Sequence, residues 1–283
     1  PTFLGGSQNV FSSTGQGRTY MEGLLTGDWS LNLLNGSRVR GGRTTTPPAN
    51  YGWSGTGPIS VTGTATFSND DNTDPGYGCI LKGSSLTGAS TPKVVVTRGC
   101  WLSLDIPEID FPGSLDLQGG GDATYRCQVR FQKGTPYLVP ANKTTTVKDS
   151  DIWMDSETVR QLSPIAISSG ACTIVGGAAG TTIPSVSVTG GATNVLDTPA
   201  EIATYTLSKG VLKLGTTLPT IKSLSCVTGT TLDLNGQDLA VETLTGSPTV
   251  LNGGTIAADA WSFDVANGVT YGSAVPTIPP EST

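Results

Sequence analysis

Acidic residues alternate with other side chains from position 149 to position 157, where the sequence reads Asp-Ser-Asp-Ile-Trp-Met-Asp-Ser-Glu. Because successive side chains of a β-strand point to opposite faces, an extended segment here would place four carboxyl groups and one indole on one face. Paired carboxyl groups, one protonated and one ionised, can hydrolyse glycosidic or peptide bonds, and an indole can stack on a sugar ring. A solvated acidic face, or a metal site, is the alternative interpretation. The candidates are Asp149, Asp151 and Asp155 for catalysis, and Trp153 and Glu157 for ligand binding.

A second acidic run, Asn-Asp-Asp-Asn-Thr-Asp, occupies positions 69 to 74. Asp70, Asn72 and Asp74 have the spacing of the first three ligands in a calcium-binding loop. Pro75 and Leu81 stand where an EF-hand would have its glycine and its last glutamate, so an EF-hand is not expected. An exposed turn and an irregular Ca²⁺ site are the two interpretations, and Ca²⁺ is the one cofactor that the sequence indicates.

Composition limits the chemistry further. The 283 residues include no histidine, which excludes Ser-His-Asp and Cys-His catalysis and every histidine-ligated metal site. The Asp-Thr/Ser-Gly motif of aspartic peptidases is also absent. Whether the protein is an enzyme stays open at this level, but an enzyme of this composition would be a histidine-free acidic hydrolase that uses paired Asp or Glu residues.

The charge pattern bears on the partners. The net charge is −6, and the densest basic group is the short cluster Arg38, Arg40 and Arg43. Because phosphate neutralisation needs clustered Lys and Arg, nucleic acid is not an expected partner. No apolar stretch reaches the roughly 18 residues that a membrane-spanning helix needs. Low charge with abundant Thr, Ser and Gly is typical of secreted or surface proteins.

Short alternating segments bounded by Gly, Pro, Asn or Ser run through the whole chain, whereas helical periodicity is nearly absent. Ile59–Phe67 and Tyr125–Phe131 are examples. This pattern predicts an all-β protein. After about residue 200 the predicted strands come at short, even spacing and end at turn signals such as Asn235-Gly236. A parallel solenoid with about 20–25 residues per coil and an antiparallel sandwich built from Asn-Gly hairpins both fit that spacing.

The five cysteines have no Cys-x-x-Cys spacing, which argues against a zinc ribbon or a thioredoxin-type site. Buried thiols and one or two disulfides are both compatible with the sequence. If the chain is a solenoid, the similar gaps between the first three would bring them close together in a ladder. The five are Cys79, Cys100, Cys127, Cys172 and Cys226.

Three short motifs lie near the C-terminus: Leu232-Asp-Leu-Asn-Gly236, Leu244-Thr-Gly246 and Asn252-Gly-Gly-Thr-Ile256. With these motifs, residues 229–256 resemble the autotransporter-associated β-strand repeat of bacterial secreted and surface proteins, from which they depart at Pro248 and Ile256. The resemblance covers about a tenth of the chain and carries no catalytic residue. It implies a right-handed parallel β-helix, as in passenger domains.

We therefore predict an all-β fold, a right-handed parallel β-helix (solenoid). A Pro- and Thr-rich stretch near residues 133–149 divides it into an N-terminal β region of residues 1–150 and a C-terminal solenoid region of residues 151–283. The N-terminal region could be a less regular solenoid or a β-sandwich.

The predicted function is that of a secreted or cell-surface protein that presents a binding face to host or environmental glycans or glycoproteins. The alternative is a carboxylate-dependent hydrolase, an aspartic-type peptidase or a glycosidase, that acts on mucin-like glycoproteins or polysaccharides. The chain starts at Pro1 without a recognisable signal peptide, as expected of a mature secreted protein.

Overall fold

A computed structural model describes residues 10–13, 18–20, 24–27, 30–40, 42–43, 51–68, 77–110, 112–120, 126–132, 143–262 and 270–271. All regular elements in these ranges are β-strands, which confirms the all-β prediction. The strands are β1 (Val10–Ser13), β2 (Arg18–Tyr20), β3 (Leu24–Gly27), β4 (Ser30–Leu33), β5 (Ser37–Arg40), β6 (Gly42–Arg43), β7 (Gly52–Gly55), β8 (Ile59–Ser68), β9 (Tyr77–Lys82), β10 (Ser85–Thr97), β11 (Cys100–Asp105), β12 (Glu108–Asp110), β13 (Ser114–Gln118), β14 (Cys127–Phe131), β15 (Thr145–Met154), β16 (Ile165–Gly176), β17 (Thr182–Val188), β18 (Thr193–Asp197), β19 (Glu201–Leu207), β20 (Val211–Leu214), β21 (Thr220–Cys226), β22 (Thr231–Asp233), β23 (Leu239–Gly246), β24 (Thr249–Leu251), β25 (Ile256–Ser262) and β26 (Thr270–Tyr271).

Most strands pair with a strand one coil later in the chain. β17, β19, β21, β23 and β25 form one such parallel series, and β18, β20, β22, β24 and β26 form another. The same parallel pairing joins β1 to β4, β4 to β8 and β8 to β10 in the N-terminal region. Among the described strands only the short pair β6–β9 is antiparallel. The chain is therefore a parallel β-helix, and its N-terminal region is a less regular solenoid rather than a sandwich.

The coil has three faces in its regular part. In β19 the burial alternates along the strand, except that Ala203 and Thr204 both point outward. Two consecutive outward residues break the two-residue period of a flat strand, so the strand turns a corner here. The start of β19 lies on the first face and its end on the second face, while β20 forms the third face. β17, β21 and β23 show the same interruption in their burial.

Coil length differs between the two parts of the chain. On the second face Leu207 pairs with Val188 of the preceding coil and with Cys226 of the following coil, at equal separations along the sequence. The corresponding step from Leu117 to Val147, nearer the N-terminus, is clearly longer. The regular coils are slightly shorter than the predicted range, and the earlier coils contain long connections.

The proposed boundary near residue 150 falls inside β15 (Thr145–Met154). This strand pairs with β13 and β14 on one side and with β16 on the other. Backbone pairing therefore continues on both sides of the boundary, with a shift of register around Asp149.

Inward side chains stack in columns that fill the interior of the coil. Ile183, Ile202, Ile221 and Val241 occupy equivalent positions in successive coils, and each is at most 6% exposed. Because each aliphatic residue covers the one below it, almost all apolar area in the column is removed from water, which is the main stabilising contribution.

The repeat-like segment forms a corner of the coil. Leu232 and Leu234 point inward and are buried, while Asn235 and Gly236 have positive φ angles of 54° and 76° and turn the chain. Asp233 accepts hydrogen bonds from the backbone N–H of Asn235 at 3.0 Å and from Nδ2 of Asn252 in the next coil at 2.7 Å. The motif residues thus have a structural role, since they make a tight turn and tie neighbouring coils together.

All five cysteines are buried and free. Cys79, Cys100 and Cys127 lie on β9, β11 and β14, which pair with one another in successive coils. Burial, and to a smaller extent the other two thiols, raises the pKa of Cys100. The predicted neighbourhood of these three residues is therefore confirmed, without a disulfide. Burial also raises the pKa of Cys79 to about 12, so these thiols are protonated and unreactive.

Candidate functional site

The site lies on the outer surface of the third face, where β11, β14 and β15 are neighbours. Trp101 of β11 pairs with Gln128 of β14, and Arg130 of β14 pairs with Trp153 of β15. Alternation sends these side chains outward, because Val129, Ile152 and their equivalents fill the interior. We call Trp101, Arg130 and Trp153 the Trp-Arg-Trp stack.

The guanidinium of Arg130 lies between the two indoles. Its central carbon is 4.8 Å from the ring centroid of Trp153 and 5.5 Å from that of Trp101, within the range of a cation–π interaction. Nε and Nη2 of Arg130 donate hydrogen bonds to Oε1 of Gln128 at 3.0 and 2.6 Å. Burial lowers the pKa of Arg130, opposed by the negative charge of Asp151. The stack is therefore a partly buried cation in contact with one indole from each neighbouring strand.

Beside the stack, Asp151 forms an ion pair with Arg126. The backbone N–H of Thr173 donates a further hydrogen bond to Oδ1 of Asp151 at 2.9 Å. Burial raises the pKa of Asp151, the Arg126 charge and the Thr173 hydrogen bond counteract this, and the nearby Asp149 raises it further. Asp151 is thus a buried, paired carboxyl group whose net pKa shift favours protonation.

Asp149 does not share the strand face of Asp151. Its φ angle is +46°, and the burial pattern changes phase at this residue, since Thr145 and Val147 point inward before it and Ser150 does so after it. Oδ1 of Asp149 accepts a 3.3 Å hydrogen bond from the backbone N–H of Ala171, while Oδ2 is buried without a partner. Asp149 therefore lies at a corner, where it contributes charge to Asp151 without standing beside Trp153.

Asp155 and Glu157 follow the end of β15 in a turn. Asp155 pairs with Arg160, whose side chain is fully buried and also donates to the carbonyl oxygens of Thr158 and Gln132, at 2.7 Å each. Burial acts to raise the pKa of Asp155, but the Arg160 hydrogen bond and others outweigh it, so the pKa is lowered. Glu157 is exposed. The acidic run thus does not form one face: Asp151 and Trp153 come together, and Asp155 anchors a turn.

Sequence reasoning missed Trp101, Gln128, Arg126 and Arg130. The alternation Arg-x-Gln-x-Arg over 126–130 was a signal, since it predicts three outward polar side chains on one strand. This alternation could not show which strands lie next to residues 126–130 in the sheet. The catalytic and ligand-binding roles assigned to the acidic segment stay predictions.

The suggested calcium ligands Asp70, Asn72 and Asp74 lie outside the described residues, so this site stays a prediction. Within the described ranges no group of three or more His, Cys, Asp or Glu residues is arranged to hold a metal ion. A calcium-dependent change in melting temperature would test the prediction directly.

An apolar cavity of about 50 Å³ lies inside the solenoid behind the site. This is larger than the roughly 10–15 Å³ that one water needs, but the lining offers water few partners. Polar groups occur at one edge only, where the hydroxyls of Thr145 and Ser163 are 2.8 Å apart. The apolar lining includes Leu86, Leu102, Leu115, Val129, Ile152 and Ile165.

No protein-family model, no curated protein and no solved structure matches this chain. In the part of the chain that the structure describes, there is no helix with the length and apolar character needed to cross a membrane.

Proposed function

We propose that this chain is a secreted or cell-surface β-solenoid protein that binds glycans or glycoproteins through the Trp-Arg-Trp stack. The observation that carries the proposal is the pair of half-buried indoles, Trp101 and Trp153, fixed on either side of Arg130 on the surface of a continuous sheet. A sheet holds such side chains at fixed positions, so little conformational entropy is lost when a ligand binds.

The chemistry around the stack suits a sugar. Indole edges and faces supply apolar contact with the C–H groups of a pyranose ring, and the amide group of Gln128 can hydrogen-bond to hydroxyls. The resemblance of residues 229–256 to the autotransporter-associated repeat supports an extracellular location, as does the charged fraction of only 13%.

Binding to an array of host and environmental glycans tests the proposal. Trp153→Ala should weaken binding by about tenfold or more, because aromatic contacts are frequent hot spots. Lys213→Ala is the matched control, since Lys213 points outward from the same face in a distant coil. Equal binding by the wild type and Trp153→Ala, with both proteins folded, would contradict the proposed site.

A second function, hydrolysis by paired carboxyl groups, is favoured by the raised pKa of Asp151 and by the unpartnered buried oxygen of Asp149. Mucin-like glycoproteins and polysaccharides, incubated at about pH 4 to 7, are the substrates to test. If Asp151 donates a proton, product release should fall as the pH rises through its raised pKa, and Asp151→Asn should abolish it. Absence of products throughout, or full activity of Asp151→Asn, would reject this function.

A further inference from the structure

We infer that the Trp-Arg-Trp stack selects saccharides that carry a carboxylate, such as uronic acids, and that Arg130 binds that carboxylate. This inference rests on the proposed function and names the ligand class of the same site. It starts from the hydrogen bonding of Arg130, which uses Nε and Nη2 for Gln128 and leaves Nη1 without a partner among the described residues.

The partner of Arg130 is neutral, which sets it apart from several other basic residues on the outer surface. Lys82 pairs with Asp105, Lys93 with Asp116, and Arg126 with Asp151, each across neighbouring coils. Arg130 forms no such ion pair within the described ranges. The nearest acidic group that affects it, Asp151, is already bound to Arg126 and to the N–H of Thr173.

The two indoles crowd the guanidinium of Arg130. The ring centroids of Trp101 and Trp153 lie 5.5 and 4.8 Å from its central carbon. The N–H bonds of a guanidinium lie in its plane, so Nη1 can bind a ligand only in that plane. A planar fork of N–H donors matches a carboxylate, which can accept two parallel hydrogen bonds. Partial burial strengthens such a contact relative to the same pair in water.

A saccharide fits this surface better than an acidic peptide strand. β14 is paired on both sides, with β11 and with β15, so a peptide cannot add to the sheet here as it would at a free edge. A ligand must approach from above the sheet, where side chains alone contact it. A sugar ring supplies a rigid carboxylate together with C–H groups for the flanking indoles.

The experiment compares an oligosaccharide of galacturonic acid with the same oligosaccharide after chemical reduction of its carboxyl groups, by isothermal titration calorimetry on the full chain. We expect the acidic form to bind about tenfold or more tightly, and the difference to shrink at high salt. Arg130→Gln should remove the preference. Arg130→Lys, which keeps the charge but loses the planar fork, should remove most of it, and Lys213→Ala should leave it unchanged.

Each alternative result has a distinct meaning. Equal binding of the acidic and reduced oligosaccharides by the wild type overturns the carboxylate preference and leaves glycan binding intact. No binding to any saccharide overturns the proposed function itself. Poly-glutamate binding as tight as that of the acidic oligosaccharide overturns the saccharide class. A preference that persists in Arg130→Gln, with an unchanged melting temperature, overturns the role of Arg130.

Discussion

The C-terminal coils, from Thr182 to Ser262, and the N-terminal coils, from Ile59 to Met154, are built on the same parallel pairing but differ in regularity. Equivalent positions on the second face recur at a short and almost constant interval in the former, as from Leu207 to Cys226. The interval is longer in the latter, as from Leu117 to Val147. The irregular part carries both the Trp-Arg-Trp stack and the interior cavity. In this molecule, the residues with a proposed chemical role therefore lie in the less regular coils.

Packing explains the difference. In the regular part, equivalent positions hold residues of similar size, such as Ile202 and Ile221, so each coil fits the next. In the irregular part, successive equivalent positions hold Val94, Leu115 and Thr145, which differ in size and polarity, and all three line the cavity. Side chains that differ in this way from coil to coil do not fill the interior completely.

The largest effect should come from breaking a corner of the regular part. Gly246 has a φ of +95°, and a Cβ at this position would overlap the carbonyl oxygen of Cys226 in the preceding coil. Gly246→Ala should lower the free energy of unfolding by about 3 kcal/mol or more, or prevent folding. Urea denaturation measures this change.

Gly236→Ala is the matched control for that substitution. Gly236 also has a positive φ, +76°, but a Cβ there would have no neighbour within 4 Å, so only backbone strain of about 1–2 kcal/mol is expected. Equal losses at the two positions would show that close contact between coils does not limit the corner.

The two regions should respond in opposite ways to a larger core residue. Val129→Leu in the cavity wall should be neutral or stabilise the protein by about 0.5–2 kcal/mol, because the added methylene enters empty space. Val250→Leu, at a fully buried position of the regular part, should cost about 1–3 kcal/mol through overpacking. Thermal unfolding monitored by circular dichroism distinguishes the two, and destabilisation by both would argue against usable space in the N-terminal core.

The smallest expected effect concerns an ion pair between irregular coils. Burial alone would raise the pKa of Asp116, but hydrogen bonds from Lys93, Thr146 and Gln118 outweigh it, so the pKa is lowered. A carboxyl group whose pKa is depressed by folding stabilises the fold above its ordinary pKa, and this contribution is lost as the pH falls. Asp116→Asn should cost at most about 1 kcal/mol at neutral pH, because Lys93 is 39% exposed.

Urea denaturation at neutral and acidic pH, with Lys93→Gln in a double-mutant cycle, measures this coupling. We expect the difference between the wild type and Asp116→Asn to disappear below the lowered pKa. A difference that does not change with pH would show that packing, and not charge, is responsible.

The acidic segment shows how far a strand pattern can be used. Alternation predicted correctly that Asp151 and Trp153 point outward from one strand. It failed at Asp149 and beyond Met154, because a positive φ at the former and the end of the strand at the latter interrupt the two-residue period. The sequence could not show that Arg160 holds the turn at Asp155, because nothing in a sequence distinguishes a buried arginine from an exposed one.

The sequence pattern over a few neighbouring residues was enough to predict the all-β class and many of the strands and turns. Two-residue alternation and Asn-Gly pairs depend only on neighbours along the chain, and they were sufficient to predict strands and the corner at Asn235-Gly236. The stack that we propose as the binding site depends on the length of each coil, which decides which outward residues become neighbours. Trp101 and Trp153 are distant in the chain but both contact Arg130. They do so because the connections between β11, β14 and β15 have the lengths that bring these strands together in this register. Only the tertiary structure could show those lengths.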